Sequence, residues 1–391
     1  MDLEARIKRR RRRNGAPRLV QDYDSLSPVT HIDEPADRGP VLEQLLDHLD
    51  PVFDGNLPPN AYVHGPMGAG KSAVVTALFS HLNQLPNETR AVIHTTTRAH
   101  SPTSPAFVYV DARKTTSEFA FYHAVLDALV EEAVPEHGIG TSTLRQQLHE
   151  RLGHSRAGVV VAVDHVGESR STDEETLVEL FAGLPSNVSW LAIGRTPPPE
   201  TTLTEYTADS IHVDRYQRQM LVDVLMTRAS VGLAQQALDH GLARRIAEWA
   251  EGNAHDALVA LFIATEFASD AGRNQLTEGD VEAAIDEIPA PCVSLGIVLS
   301  LPANRQSVLR ALIDLGPDER SSVTATTEAI GGRSSVDLSP GTVKRFLYEM
   351  AEAGVVERVQ STAQKGQGRP PSRVVPRFPP TAFRRLYDLR Q

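Results

Sequence analysis

The sequence predicts an α/β fold: a phosphate-loop parallel-sheet core, then a helical lid, then a C-terminal winged-helix domain. Three observations predict it. The stretch Ala61–Phe79 (AYVHGPMGAGKSAVVTALF) runs from a strand end through a glycine-rich turn into an amphipathic helix. Uninterrupted apolar runs at Ala106–Val110, Gly158–Val163 and Val188–Ile193 alternate with helical patterns, as strands covered on both faces do. From Asp214 the pattern is helical to about Pro289, and three further helices and two strands follow.

The turn carries the most specific chemistry. Gly65, Pro66, Met67, Gly68, Ala69, Gly70, Lys71 and Ser72 satisfy G-x-x-x-x-G-K-[ST]. Successive backbone N–H groups must curl around phosphate oxygens, so glycines remove Cβ atoms where the chain turns tightest. Lys71 is placed to reach the β/γ-phosphates and Ser72 to ligate Mg²⁺, at a helix N-terminus whose partial positive charge favours an anion. The expected cofactors are ATP or ADP with Mg²⁺. A glycine-rich strand-to-helix turn that binds nothing is the alternative, and the strand before and helix after the motif argue against it.

Before this turn, Val41–Phe53 has helical spacing; after it, Phe119–Val130 is a second helix. The run Gly158–Val163 ends in Asp164. At the tip of a strand beside a phosphate loop, that carboxylate suits a Mg²⁺ held through water, the other reading being a loop or capping aspartate. The next residue is His165, where ATPases of this layout commonly carry a water-activating glutamate. Imidazole is a competent base, but its reach and shape differ from a glutamate's, so a satisfied structural histidine is the preferred reading, and Glu168 would substitute only if the turn folded it back. No catalytic residue is assigned.

Charge is uneven along the 391 residues: +6 over 1–20, −22 over 21–299 and +5 over 300–391, a net −11. An acidic body with basic ends points to the ends as the parts that meet a polyanion, the basic run Arg6–Arg13 among them. The single cysteine, Cys292, excludes an intramolecular disulfide and cysteine-based metal clusters, which suits a reducing, cytoplasmic setting. No apolar run is long enough to span a bilayer, so no membrane partner is expected. The organisation expected is a basic arm at 1–20, a nucleotide-binding core at 21–200, a lid at 201–290 and a winged helix at 295–391.

In that last segment Asn304–Leu315, Ser322–Ile330 and Ser339–Ala353 read as helices. Val355–Gln360 and Arg373–Phe378 read as strands flanking a Gly-, Pro- and Arg-containing turn. In a winged helix-turn-helix the third helix enters the major groove, which puts Thr342, Lys344 and Arg345 towards bases. Lys365, Arg369 and Arg373 of the wing are then towards phosphate or the minor groove. Duplex DNA is the expected partner; a protein-docking winged helix is the alternative.

The order of the phosphate loop, VYVDARKTTSEFAFYHAV, the Asp164 strand, Tyr216 with Gln219, Leu221, Leu225 and Arg228, GNAHDAL and AGRNQLTEGDVEAAIDEI resembles the archaeal origin-recognition and cell-division-control family of AAA+ replication initiators. The resemblance covers nearly the whole chain. It implies an AAA+ core with lid, a winged helix that binds origin DNA, and the replicative helicase or other initiator subunits as partners. It also marks departures. His165 stands at the place of the family's catalytic glutamate, Arg195 at that of a polar sensor and His255 at that of the lid's sensor arginine. No lysine or arginine lies between Thr196 and Asp214, where the family has a basic DNA-contacting helix. Arg195 and His255 therefore join the loop and Asp164 as nucleotide-site candidates, and nucleotide is expected to be bound with weak or absent hydrolysis. Two function classes remain: a replication initiator, or a nucleotide-gated winged-helix regulator of transcription or of a mobile element.

Overall fold

A computed structural model describes residues 18–31, 38–92, 105–153, 158–168, 171–360 and 372–390, with side chains omitted for 86–92. The arm Arg6–Arg13 lies outside them. The chain divides into two compact units: residues 31–216, and residues 217–391 together with the chain's beginning up to Thr30.

The first unit is built on a five-stranded sheet in the order β2-β3-β4-β1-β5, comprising β1 (Ala61–His64), β2 (Ala106–Asp111), β3 (Val159–Val166), β4 (Val188–Gly194) and β5 (Asp209–His212). Every pairing is parallel. Such strands need apolar residues on both faces, and the alternation along β3 supplies them. Val159, Val161 and Val163 pack with Phe121, Tyr122, Leu144 and Leu148, while Val160 and Ala162 pack with Val74, Val75, Leu78 and Phe79 on the other side. β1 and β4 are neighbours whose onward connections leave in opposite directions, to β2 at one edge and β5 at the other. Ligands of doubly wound sheets sit at the carboxyl ends of strands at such a switch point, and both the phosphate loop and Arg195 fall there.

Two sequence expectations change in detail. The helix expected over 41–53 is Gly39–Leu49, followed by a 3-10 turn at Asp50–Asp54 where Pro51 cannot continue the α-helical ladder. β5 is taken from the stretch expected to open the lid: only Ile211 of its four residues is buried, the weak pattern of an edge strand. The helices Thr141–Gly153 and Glu174–Ala182 cover the sheet without having been singled out in the sequence.

The second unit starts with helices Arg218–Gly232, His240–Trp249, Ala254–Asp270 and Glu278–Glu287. Ala254–Asp270 is apolar almost all round and correspondingly buried, and Thr277 with Asp280 forms a capping box on Glu278–Glu287. Then come Leu295–Ser300, Ala303–Ile313, Val323–Gly331 and Pro340–Glu352, the antiparallel hairpin of β6 (Val356–Gln360) with β7 (Ser372–Pro376), and the helix Pro380–Leu389. Three helices and a hairpin make the winged helix. The first described residues belong to this unit too: Arg228 donates to the carbonyls of Ser25 (3.0 Å) and Thr30 (2.8 Å). Arg385 donates to the Tyr23 hydroxyl and stands 3.3 Å from Glu266.

Candidate nucleotide site and nucleic-acid interface

The loop between β1 and the helix Lys71–Val92 has the geometry its glycines predict. Gly65 and Gly70 adopt positive φ (152° and 82°), and a Cβ would lie 2.2 Å from the Val213 carbonyl oxygen at the first and 2.6 Å from the Tyr216 hydroxyl at the second. Lys71 is buried and folds back over the loop, donating to the carbonyls of Gly65 (2.7 Å) and Pro66 (2.9 Å). An ammonium has three donors, so one remains for a ligand. Burial, with Arg195 and Arg38 adding repulsion, pushes the Lys71 amine down to about 8 against the pull of Asp164 and Glu168. An anion at the loop would complete this charge arrangement, and backbone, ammonium and Ser72 hydroxyl together fit a nucleotide phosphate.

Asp164 ends the straight part of β3 and is 1% exposed. Burial favours its neutral form. His165 nearby, the Ser72 hydroxyl, the Tyr109 hydroxyl (2.5 Å) and the His165 backbone N–H (2.7 Å) outweigh that and hold the carboxyl below its ordinary value. Asp164, one of the two expected Mg²⁺ ligands, is therefore already hydrogen-bonded to Tyr109 and to the His165 backbone.

At the next residue the strand bulges. Asp164 pairs with Ile193 and Val166 with Gly194, leaving His165 as the extra residue at φ 65°, a left-handed conformation that costs a non-glycine residue about 1–2 kcal/mol. Its ring is enclosed by carboxylates: Nδ1 is 3.1 Å from Glu168 Oε1 and Nε2 is 3.5 Å from Asp164 Oδ2. The Nδ1 contact with Glu168 is a hydrogen bond, which ties the ring into the carboxylate cluster. The turn does fold Glu168 back: its N–H donates to the His165 carbonyl, and its buried carboxylate is held below the usual range, against burial, by the His165 hydrogen bond and by Arg195. Arg195 completes the cluster with Nε 2.8 Å from Oε1 and Nη2 3.0 Å from Oε2 of Glu168.

Several residues at this site escape motif reading. Tyr109 is placed against Asp164 only by the pairing of β2 with β3. Arg113 makes a two-point pair with Asp111 and its charge reaches Asp164 and Glu168. Arg38 is buried, lies 3.6 Å from the Tyr216 ring centre and donates to the Asp214 carbonyl (2.9 Å); its one sequence signal is an arginine immediately before a helix.

His255, in the second unit, opens the helix Ala254–Asp270. Its Nδ1 is 3.1 Å from Asp256 Oδ1, and its Nε2 is 3.4 Å from both the Ser294 hydroxyl and the Leu295 N–H. Both nitrogens are engaged within that unit.

On the winged helix, Ser339 caps Pro340–Glu352 through the Thr342 N–H and lies 2.9 Å from the Thr342 hydroxyl. Lys344 and Arg345 are exposed on that helix, Arg345 3.6 Å from Glu349. Arg373 is exposed on β7, and Lys365 and Arg369 lie outside the described residues. The fold adds two residues. Tyr348 lies under the Arg358 guanidinium of β6 (4.6 Å to the ring centre), with the Lys344 ammonium 5.9 Å away. One helix and one strand thus share a patch of two cations around an aromatic ring. Among the described residues no helix is long and apolar enough to cross a membrane.

A five-stranded parallel sheet with the loop at its switch point, followed by a helical lid and winged helix, defines an AAA+ P-loop protein, and residues 34–193 match the AAA ATPase domain family. ORC1-type DNA replication protein 1 of Sulfolobus acidocaldarius is 22% identical over 320 residues, covering 78% of this chain and 76% of the relative. The Aeropyrum pernix ORC1 protein, solved in complex with DNA, shares the fold at a TM-score of 0.57 and 20% identity, covering 94% of this chain and 96% of that one. The Aeropyrum pernix ORC2 protein, solved as ADPNP–ADP complexes, does so at 0.53 and 16%, covering 95% and 98%. Over most of its length the chain is thus similar to ORC1-type DNA replication proteins.

Proposed function

We propose that this chain is an initiator-type AAA+ protein that binds ATP with Mg²⁺ at Gly65–Ser72, turns it over slowly or not at all, and binds duplex DNA through its winged helix, recruiting a replicative helicase or other initiator subunits. The observation that carries the reading is the contrast within one site, a complete phosphate loop beside a strand end whose histidine, glutamate and arginine are bound to one another. When bound, Mg²⁺ would neutralise phosphate charge, with Ser72 and Asp164 to hold it. Lys71 and the loop N–H groups orient the nucleotide. His165 and Glu168, paired as they are, activate no water.

DNA affinity is assigned to Thr342, Lys344 and Arg345 on the helix and to Arg358, Lys365, Arg369 and Arg373 on the wing. Fluorescence anisotropy of the full chain with duplex DNA at several salt concentrations tests this. Arg358→Ala and Arg369→Ala should each weaken binding across sequences and lower the slope of log K against log salt by about one, whereas Lys344→Ala should chiefly change sequence preference. If all three leave binding unchanged while deletion of 1–20 abolishes it, the basic arm is the contact and the winged helix docks a protein.

One observation favours a regulatory reading instead. From Thr196 to the start of β5 the chain forms two short 3-10 turns, Pro198–Glu200 and Leu203–Glu205, and carries no lysine or arginine. Genome-wide mapping of bound DNA separates the two readings, enrichment at one or a few loci marking an initiator and enrichment across promoters a regulator.

A further inference from the structure

The strand ends of β3 and β4 give Glu168 a role that water activation leaves unused. Arg195 directly follows β4, with β1 and the phosphate loop to one side and β3 with Asp164 to the other. Its guanidinium makes a two-point pair with Glu168, at 2.8 and 3.0 Å. The pair is unequal: the carboxylate is 8% exposed and the arginine 36%. Glu168 also has a second partner, His165 Nδ1 at 3.1 Å on the same oxygen that Arg195 Nε meets. Loss of the arginine therefore leaves the buried carboxylate still partnered. Both charges act on Lys71, Arg195 in one direction and Glu168 in the other, so both are within electrostatic reach of the loop.

A guanidinium forms its strongest contacts two-pronged, with carboxylate or with phosphate. At this position two anions compete for it: Glu168, and the terminal phosphate that distinguishes a triphosphate from a diphosphate. The Glu168 charge additionally repels that phosphate, because a triphosphate brings more negative charge to the loop than a diphosphate does. From this arrangement we infer that Glu168 is a specificity-determining residue, lowering the preference of the site for nucleoside triphosphate over diphosphate by retaining Arg195 and by its own charge. The inference rests on the nucleotide-binding reading above. It assigns Glu168 to ligand discrimination.

Isothermal titration calorimetry of the full chain with MgATP and with MgADP tests it, on wild type, Glu168→Gln, Arg195→Gln and the double variant. Glutamine keeps the shape of the side chain while removing the charge, so Glu168→Gln should raise the ATP-to-ADP affinity ratio about tenfold. Arg195→Gln should lower that ratio below the wild-type value, and the gain from Glu168→Gln should shrink in the Arg195→Gln background to the part due to the Glu168 charge alone. An unchanged or smaller ratio in Glu168→Gln overturns the inference. A gain that survives intact in the double variant overturns the part assigned to Arg195. Thermal melts without nucleotide establish that each variant is folded; if Glu168→Gln is not, the ratio in Arg195→Gln, at a more exposed position, decides. If wild type binds neither nucleotide and Lys71→Ala changes nothing, the nucleotide reading itself fails and this inference with it, a result distinct from binding without a change in ratio.

Discussion

The two halves of the nucleotide site are built on opposite principles. On Gly65–Ser72 the donors remain available: the backbone is curled by positive-φ glycines, and Lys71 uses two of its three protons on the loop's own carbonyls. On Asp164–Arg195 the polar groups are spent on one another, with Asp164 bonded to Tyr109 and the His165 N–H, His165 between two carboxylates, and Glu168 to Arg195. Under the proposed reading, holding a nucleotide and turning it over fall to separate residues, so that one can be lost without the other.

The comparison breaks first at Lys71. Lys71→Ala removes a charged donor from a buried site, a loss of about 3 kcal/mol or roughly a hundredfold in affinity. MgATP should then raise the melting temperature of wild type but not of the variant. Retained stabilisation in Lys71→Ala would mean that the ligand sits elsewhere.

The second test addresses the closed half. His165→Glu adds a carboxylate beside Asp164 and Glu168 while Arg195 remains paired, so steady-state phosphate release should stay near background and the melting temperature should fall by a few degrees as like charges crowd. Sustained turnover by the wild type that disappears in His165→Ala would instead make the imidazole the base.

The smallest effect sharpens the border between the halves. His64 ends β1, stacks on Tyr62 and has its Nδ1 3.3 Å from that of His212. Burial, with His212 and Lys71 adding repulsion, lowers its pKa below 6.5. Below about pH 6.5 the unfolded chain therefore takes up a proton that the folded one resists, and stability declines as pH falls. His64→Gln should remove part of that decline, by under about 1 kcal/mol, in melts recorded from pH 7.5 to 5.5. An identical pH profile in the variant would exclude His64 as the source.

The phosphate loop, Asp164, four of the five core strands and the winged helix are legible because each is a local pattern: a spaced motif, an apolar run, helical periodicity with a cap. What was not legible is set by partners distant in sequence. Tyr109 and Glu168 acquire their roles through strand pairing and a bulge, Arg358 through the return of β6 onto Pro340–Glu352, and β5 through edge pairing that needs a single buried side chain. The helix Thr141–Gly153 was missed because its buried stripe is only Leu144, Leu148 and Leu152 in an otherwise polar run.

The tie between Tyr23, Glu266 and Arg385 bears on how the protein can be cut for study. A fragment beginning at residue 295 leaves Arg385 without Glu266 or Tyr23 and the Thr381 N–H without the Glu287 carboxylate. A stable piece carrying the winged helix therefore begins near Gln217 and carries residues 19–30 with it, either co-expressed or spliced on by a linker. A shorter clone is expected to give material that aggregates, whatever its affinity for DNA.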